Sequence, residues 1–165
     1  MERIDIRLCY NSGANNGWPL INLYINHQCI SSFEADDQVR DISVDVPEGP
    51  VLLTIEHWGK NPITDSLPTD KFFELTDITI NDVPCKKLLS EVTKKVKPSP
   101  WDTTPSLVKG DTYLGHNGIL ELRLSSPIKL WLVNQFSNKQ KQIHGQETTR
   151  EVLWEAKKFF KINQI

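Results

Sequence analysis

The side chains best able to act as base, nucleophile or soft metal ligand in this 165-residue chain are His27, His57, His116 and His144, with Cys9, Cys29 and Cys85. Their spacing gives them little to do together. No GxSxG or HExxH run joins a nucleophile to a base, and no GxGxxG or GxxxxGK loop offers a cradle for phosphate. No CxxC brings two thiolates to one metal. His27 and Cys29 lie two apart on an apparent strand, where they would share a face, but no third ligand accompanies them. The expectation is a chain that is not an enzyme, with no catalytic residue, no assigned metal ligand and no cofactor. The odd, scattered cysteines read as reduced thiols packed as small apolar groups.

Acids and aromatics offer more. Asp65 and Asp70 lie in a loop, with Asp77 just beyond, and carboxylate oxygens are what Ca²⁺ takes. The spacing is not that of an EF-hand, so a solvated rim is the ordinary role. Of five tryptophans, Trp131 sits in a strongly apolar stretch and reads as core. Trp18, Trp58 and Trp101 fall among Asn, Gly and Pro. A flat ring with amide and acid neighbours can stack on a sugar or anchor a protein partner, and it can equally plug the end of a sandwich. Trp58, Lys60, Asp65, Asp70 and Trp101 are therefore the candidate contact residues, joined by Phe159 and Phe160 below.

These residues must be held by a frame, and the frame reads as β. Ile4, Ile6 and Leu8 alternate with charged residues, as do Ile21, Leu23 and Ile25 with polar ones, each predicting a strand with one buried face. Ile42, Val44 and Val46, then Pro47-Glu-Gly-Pro50, then Val51, Leu53 and Ile55 predict a strand, tight turn and strand. WGKNPITDSLPT, from Trp58, carries no period and predicts a long loop. In KFFELTDITIN the apolar parity shifts between Leu75 and Ile78, which predicts a bulge near Thr76 and Asp77. A short helical turn is expected around Leu88, Leu89 and Val92, followed by a proline-enforced extended segment holding Trp101. After an Asn117-Gly118 turn, Leu120, Leu122 and Leu124 predict a strand, and IKLWLVNQF a further, central one.

Seven or eight such strands, with no helices between them of the length a parallel sheet needs, predict an all-β antiparallel sandwich over residues 1–136. Residues 137–165 are expected to be a linker, from Ser137 to Gln146, and an appended amphipathic helix. Thr148 and Glu151 form a capping box, and Val152, Leu153, Ala156, Phe159 and Phe160 make one apolar stripe that must bury against the sandwich or another chain.

Composition narrows the partners. With 19 Lys+Arg against 21 Asp+Glu, the net charge of −2 gives no pull toward nucleic acid. No run of about 18 apolar residues predicts a membrane span. MERIDIRLCY lacks the apolar run of a secretory signal, so no export is expected.

The segment VLLTIEHWGKNPITDSLPTDKFFELTDITINDV, followed by YLGHNGILELRLSSPIKLWLV, resembles small virion-associated or uncharacterised proteins of tailed bacteriophages, especially marine and cyanobacterial ones. The shared features are an L-x-I … G-K … D … D … I-x-I-N core and a later L-G-x-N-G … S-P … W-L stretch. The first half also resembles β-sandwich carbohydrate-binding modules with a jelly-roll form, which often place D … I-x-I-x-G before a strand end; Asp82 stands here where those have Gly. The likeness covers residues 4–135. It implies a non-catalytic subunit of a phage particle, a capsid decoration or tail component made in the host cytoplasm. Its partners would be other virion proteins, in an oligomer if the assembly requires one. The alternative is a glycan-binding module that attaches to host polysaccharide through Trp58 and Trp101, with Ca²⁺ on Asp65 and Asp70.

Overall fold

The computed structural model describes residues 1–14, 17–60, 71–96 and 107–143. Its strands pair antiparallel throughout and form two sheets. In the first, β1 (Glu2–Ala14) lies between β4 (Val39–Val46) and β6 (Lys71–Ile80). The two-residue strands β7 (Val83–Pro84) and β10 (Tyr113–Leu114) share the far edge of β6. The second sheet runs in the order β3 (Gln28–Glu34), β2 (Leu20–Ile25), β5 (Gly49–Trp58), β11 (Gly118–Ser126), β8 (Thr93–Val96) and β9 (Leu107–Lys109).

Alternation explains the layering, because every second side chain of a strand points to one face. Ile4, Ile6 and Leu8 of β1 and Phe73, Leu75, Ile78 and Ile80 of β6 join Leu23, Ile55, Leu120 and Leu122 of the other sheet in one buried cluster. Each fully buried side chain of this size stabilises the fold by about 1.5–3 kcal/mol before entropy is counted. The expected bulge is present: Cys9 pairs with Asp77 and Tyr10 with Leu75, leaving Thr76 unmatched and restoring the buried parity at Ile78. A 3₁₀ turn, Lys86–Glu91, buries Leu88 where the helical turn was expected.

Two expectations need correction. The predicted central strand IKLWLVNQF is the first part of helix α1 (Ile128–Ile143), which also runs through most of the expected linker at 137–146. Ile128 and Leu132 are buried and Phe136 packs against the core. That is a four-residue repeat, so the stretch is apolar on one helical stripe and not on two strand faces. The helix begins after a cis Ser126–Pro127 bond, and its cap is supplied from afar: a Glu2 carboxylate oxygen accepts from the Ile128 N–H at 2.9 Å and the Ser126 hydroxyl at 2.7 Å.

The expected strand, tight turn and strand around Pro47-Glu-Gly-Pro50 is present as β4 and β5, which belong to opposite sheets. The second correction is that His27 is not on a strand. Asn26 and His27 both have positive φ, 47° and 70°, and form the two-residue turn between β2 and β3, a conformation that asparagine accepts more readily than most residues. Asn81 and Asp82 repeat that geometry between β6 and β7, which is how the chain turns where a glycine would be usual. The expected helix at 148–161 lies outside the described residues.

Candidate functional site

The outward face of the second sheet carries its polar and aromatic side chains in register. On β5, inward Leu53, Ile55 and His57 alternate with Thr54, Glu56 and Trp58. Leu20 pairs with Trp58, Asn22 with Glu56 and Tyr24 with Thr54, so these pairs share the outer face. Glu56 organises the centre: one carboxylate oxygen accepts from the Tyr24 hydroxyl at 2.7 Å and from the Asn22 amide at 3.3 Å. Ser32 on β3 extends the chain by donating to the Asn22 carbonyl at 2.7 Å. The bond to Glu56, aided by burial, raises the Tyr24 pKa above its ordinary value and keeps the phenol a donor.

Trp58 ends this row with 44% of its surface exposed. Trp18, 41% exposed, precedes β2 at the same end of the sheet, two residues before the partner of Trp58. Trp58 is held by a braced turn. Gly59 adopts φ +81°, in the left-handed region that glycine occupies without strain, and turns the chain inward at Lys60. The Lys60 N–H donates to the Asn117 side-chain carbonyl at 3.0 Å, and the Asn117 amide donates back to the Lys60 carbonyl at 3.0 Å. Lys60 Nζ donates to the Gly115 carbonyl at 2.5 Å, and His57 Nδ1 lies 3.1 Å from the His116 carbonyl. The end of β5 is thus tied at several points to the turn that begins β11.

His57 is fully buried, and burial, reinforced by the nearby Lys60 charge, lowers its pKa to about 4 against the opposing pull of the His116 and Leu114 carbonyls. The ring is therefore neutral at pH 7, with Nδ1–H facing the His116 carbonyl. Its Nδ1 is held by the His116 carbonyl, and its Nε2 has no hydrogen-bond partner among the described residues. Cys85 is buried with its pKa raised to about 11 by desolvation, and is held as an unreactive thiol.

Of the residues singled out in the sequence, Trp58 stands exposed on this face, while Lys60 is only 5% exposed and lies beneath it. Asp65, Asp70, Trp101, Phe159 and Phe160 lie outside the described residues. Among the described residues no group of three or more His, Cys, Asp and Glu could hold a metal ion. Trp131, expected in the core, is only partly buried and lies on α1. Asn22, Tyr24, Glu56 and Asn117 were not singled out. The first three were visible only as polar members of alternating strands, and the partner of Lys60 could not be read without the fold.

An array of this kind, with a carboxylate, an amide and a phenol fixed beside an indole, suits a ligand that offers hydroxyls along one edge and C–H groups on one face. No family model matches the chain, and no curated protein does. Two solved structures are similar. One, described as vCBM60 in complex with galactobiose, is 9% identical, with a TM-score of 0.49, over 72% of this chain and 96% of that one. The other is the selenomethionine form of vCBM60, from work on circular permutation linking two families of calcium-dependent carbohydrate-binding modules. It is 10% identical, with a TM-score of 0.50, over 72% of this chain and 89% of that one. The fold is therefore that of a carbohydrate-binding-module-like β-sandwich. Neither description refers to a phage particle.

Proposed function

We propose that the chain is a non-catalytic glycan-binding module that holds sugar on the outer face of its second sheet, between Trp58 and Tyr24. The observation that carries this is the exposed Trp58 ring at the end of the hydrogen-bonded row Tyr24, Glu56, Asn22 and Ser32. The indole takes the C–H face of a pyranose, while Glu56 accepts from hydroxyls and Asn22 both donates and accepts. Because these groups are already held by one another, little side-chain entropy is lost when a ligand arrives. The sandwich shared with a structure described as calcium-dependent supports the same reading. Any calcium is assigned to Asp65 and Asp70.

Location is read from the resemblance to phage proteins. The module belongs on the virion, where it would attach the particle to host surface polysaccharide and touch neighbouring virion subunits through Phe159 and Phe160. A glycan array probed with the full chain, with and without chelator, tests the binding. We expect signal on a defined sugar class, reduced about tenfold in affinity by Trp58→Ala. No signal in either condition would end the proposal, and a signal indifferent to chelator would remove calcium from it. Mass spectrometry of purified virions tests the location, and absence of the protein would refute it.

A further inference from the structure

The outer face does not stop at Tyr24. Its cross-strand row continues through Thr54 to Glu121 on β11, and the next outward residue of β11 is Arg123, opposite Leu52. There the face meets a cleft of about 430 Å³ between β11, the strands beside it and α1, lined by Trp131, Gln135, Arg123, Glu121, Glu91 and Lys109. Small-molecule sites occupy roughly 300–1,000 Å³, so the cleft is of ligand size.

Its chemistry selects among ligands. Two carboxylates and two cations balance, and three of the four are already engaged: Glu91 with Lys109 at 2.7 Å, and Glu121 with Lys95 at 2.7 Å. A cationic ligand would have to break these pairs, and an anionic one would reach Arg123 only beside the two carboxylates, whereas a hydroxyl can use the lone pairs that a paired carboxylate retains. Gln135 adds an amide that both donates and accepts, and Arg123 adds a fork of donors. The half-buried Trp131 supplies an apolar wall. Indole, amide and carboxylate are the same three groups found around Trp58.

We propose that this cleft is a second sugar subsite, so that the ligand is an extended, uncharged oligosaccharide lying across the outer face and not a single terminal sugar. The inference rests on the glycan reading of that face. At a rise of about 3.4 Å per residue, the six positions from Trp58 to the row of Arg123 span about 20 Å, a separation for several linked rings.

Isothermal calorimetry on the full chain, with xylo-, cello- and galacto-oligosaccharides from dimer to hexamer, tests it. The expected result is that affinity for the best series rises at least tenfold from dimer to hexamer. This length gain should collapse toward unity in the surface double variant Arg123→Ala/Gln135→Ala. Trp131 touches the core, so Trp131→Phe, which retains bulk, is the companion variant and should halve the gain or more; circular dichroism checks that each variant is folded. A length gain absent from the wild type, or one that survives the double variant, would overturn the second subsite while leaving the first intact. Failure of the wild type to bind any oligosaccharide would instead overturn the glycan reading and this inference together.

Discussion

Asn117 shows how much a single amide can position. Its side chain reproduces a backbone pairing by exchanging two hydrogen bonds with Lys60, one as donor and one as acceptor. Asn117→Ala would leave both backbone groups of a buried residue without these partners. The cost should be about 1–3 kcal/mol, since an unmatched buried polar group loses its desolvation energy. Chemical denaturation measures that loss. The same variant should weaken glycan affinity although Asn117 is not placed against the sugar, because the turn that carries Trp58 loosens. Asn117→Asp separates the two roles: it keeps the acceptor toward the Lys60 N–H and loses the donor toward the carbonyl, so it should fall between Ala and wild type. Trp58 was legible in the sequence as an aromatic among turn-forming residues. Lys60 beside it was not legible as buried, because nothing local announces that an ammonium will find the carbonyl of Gly115, 55 residues on.

The strands declared themselves through period two, and even the bulge at Thr76 followed from a shift in apolar parity. Turn chemistry was harder. Asn26-His27 and Asn81-Asp82 make tight turns without glycine, held partly by side-chain bonds such as Asn81 Oδ1 accepting from the Asp5 N–H at 2.8 Å. Helix α1 was misread for two physical reasons. Its buried stripe of Ile128, Leu132 and Phe136 is embedded in a run of apolar residues that also suits a central strand. Its capping group is Glu2, which no window along the chain would place beside Ile128. The cap makes a prediction at this scale. Glu2→Ala should destabilise the protein by about 1 kcal/mol, through a lost N-terminal acceptor and lost charge compensation at the helix end. Glu2→Gln should recover part of this. Urea titration followed by helix-sensitive circular dichroism checks both, and an unchanged midpoint in Glu2→Ala would count against the cap.

For the molecule as a whole, pH is the accessible lever. The neutral, buried His57 has its pKa lowered to about 4, while in the unfolded chain it titrates near 6.5. Between those values the unfolded state binds the extra proton, so stability should fall as pH drops through this window, by about 3 kcal/mol between pH 7 and pH 4. Asp41, beside Arg7, and Asp111, beside Lys94, also have pKa values below the ordinary carboxylate range. Their contribution is present at neutral pH and disappears only below about pH 4, so the two groups of residues can be told apart by where the loss begins. Denaturation midpoints between pH 7 and pH 4 should decline in wild type, and a flat profile would contradict the buried neutral imidazole. The contact between Glu2 and Ile128 has a temporal consequence as well. A ribosome delivers the carboxylate first and its acceptor-seeking N–H some 126 residues later, so the nascent chain must wait until all the described strands have been made before the last latch can fasten.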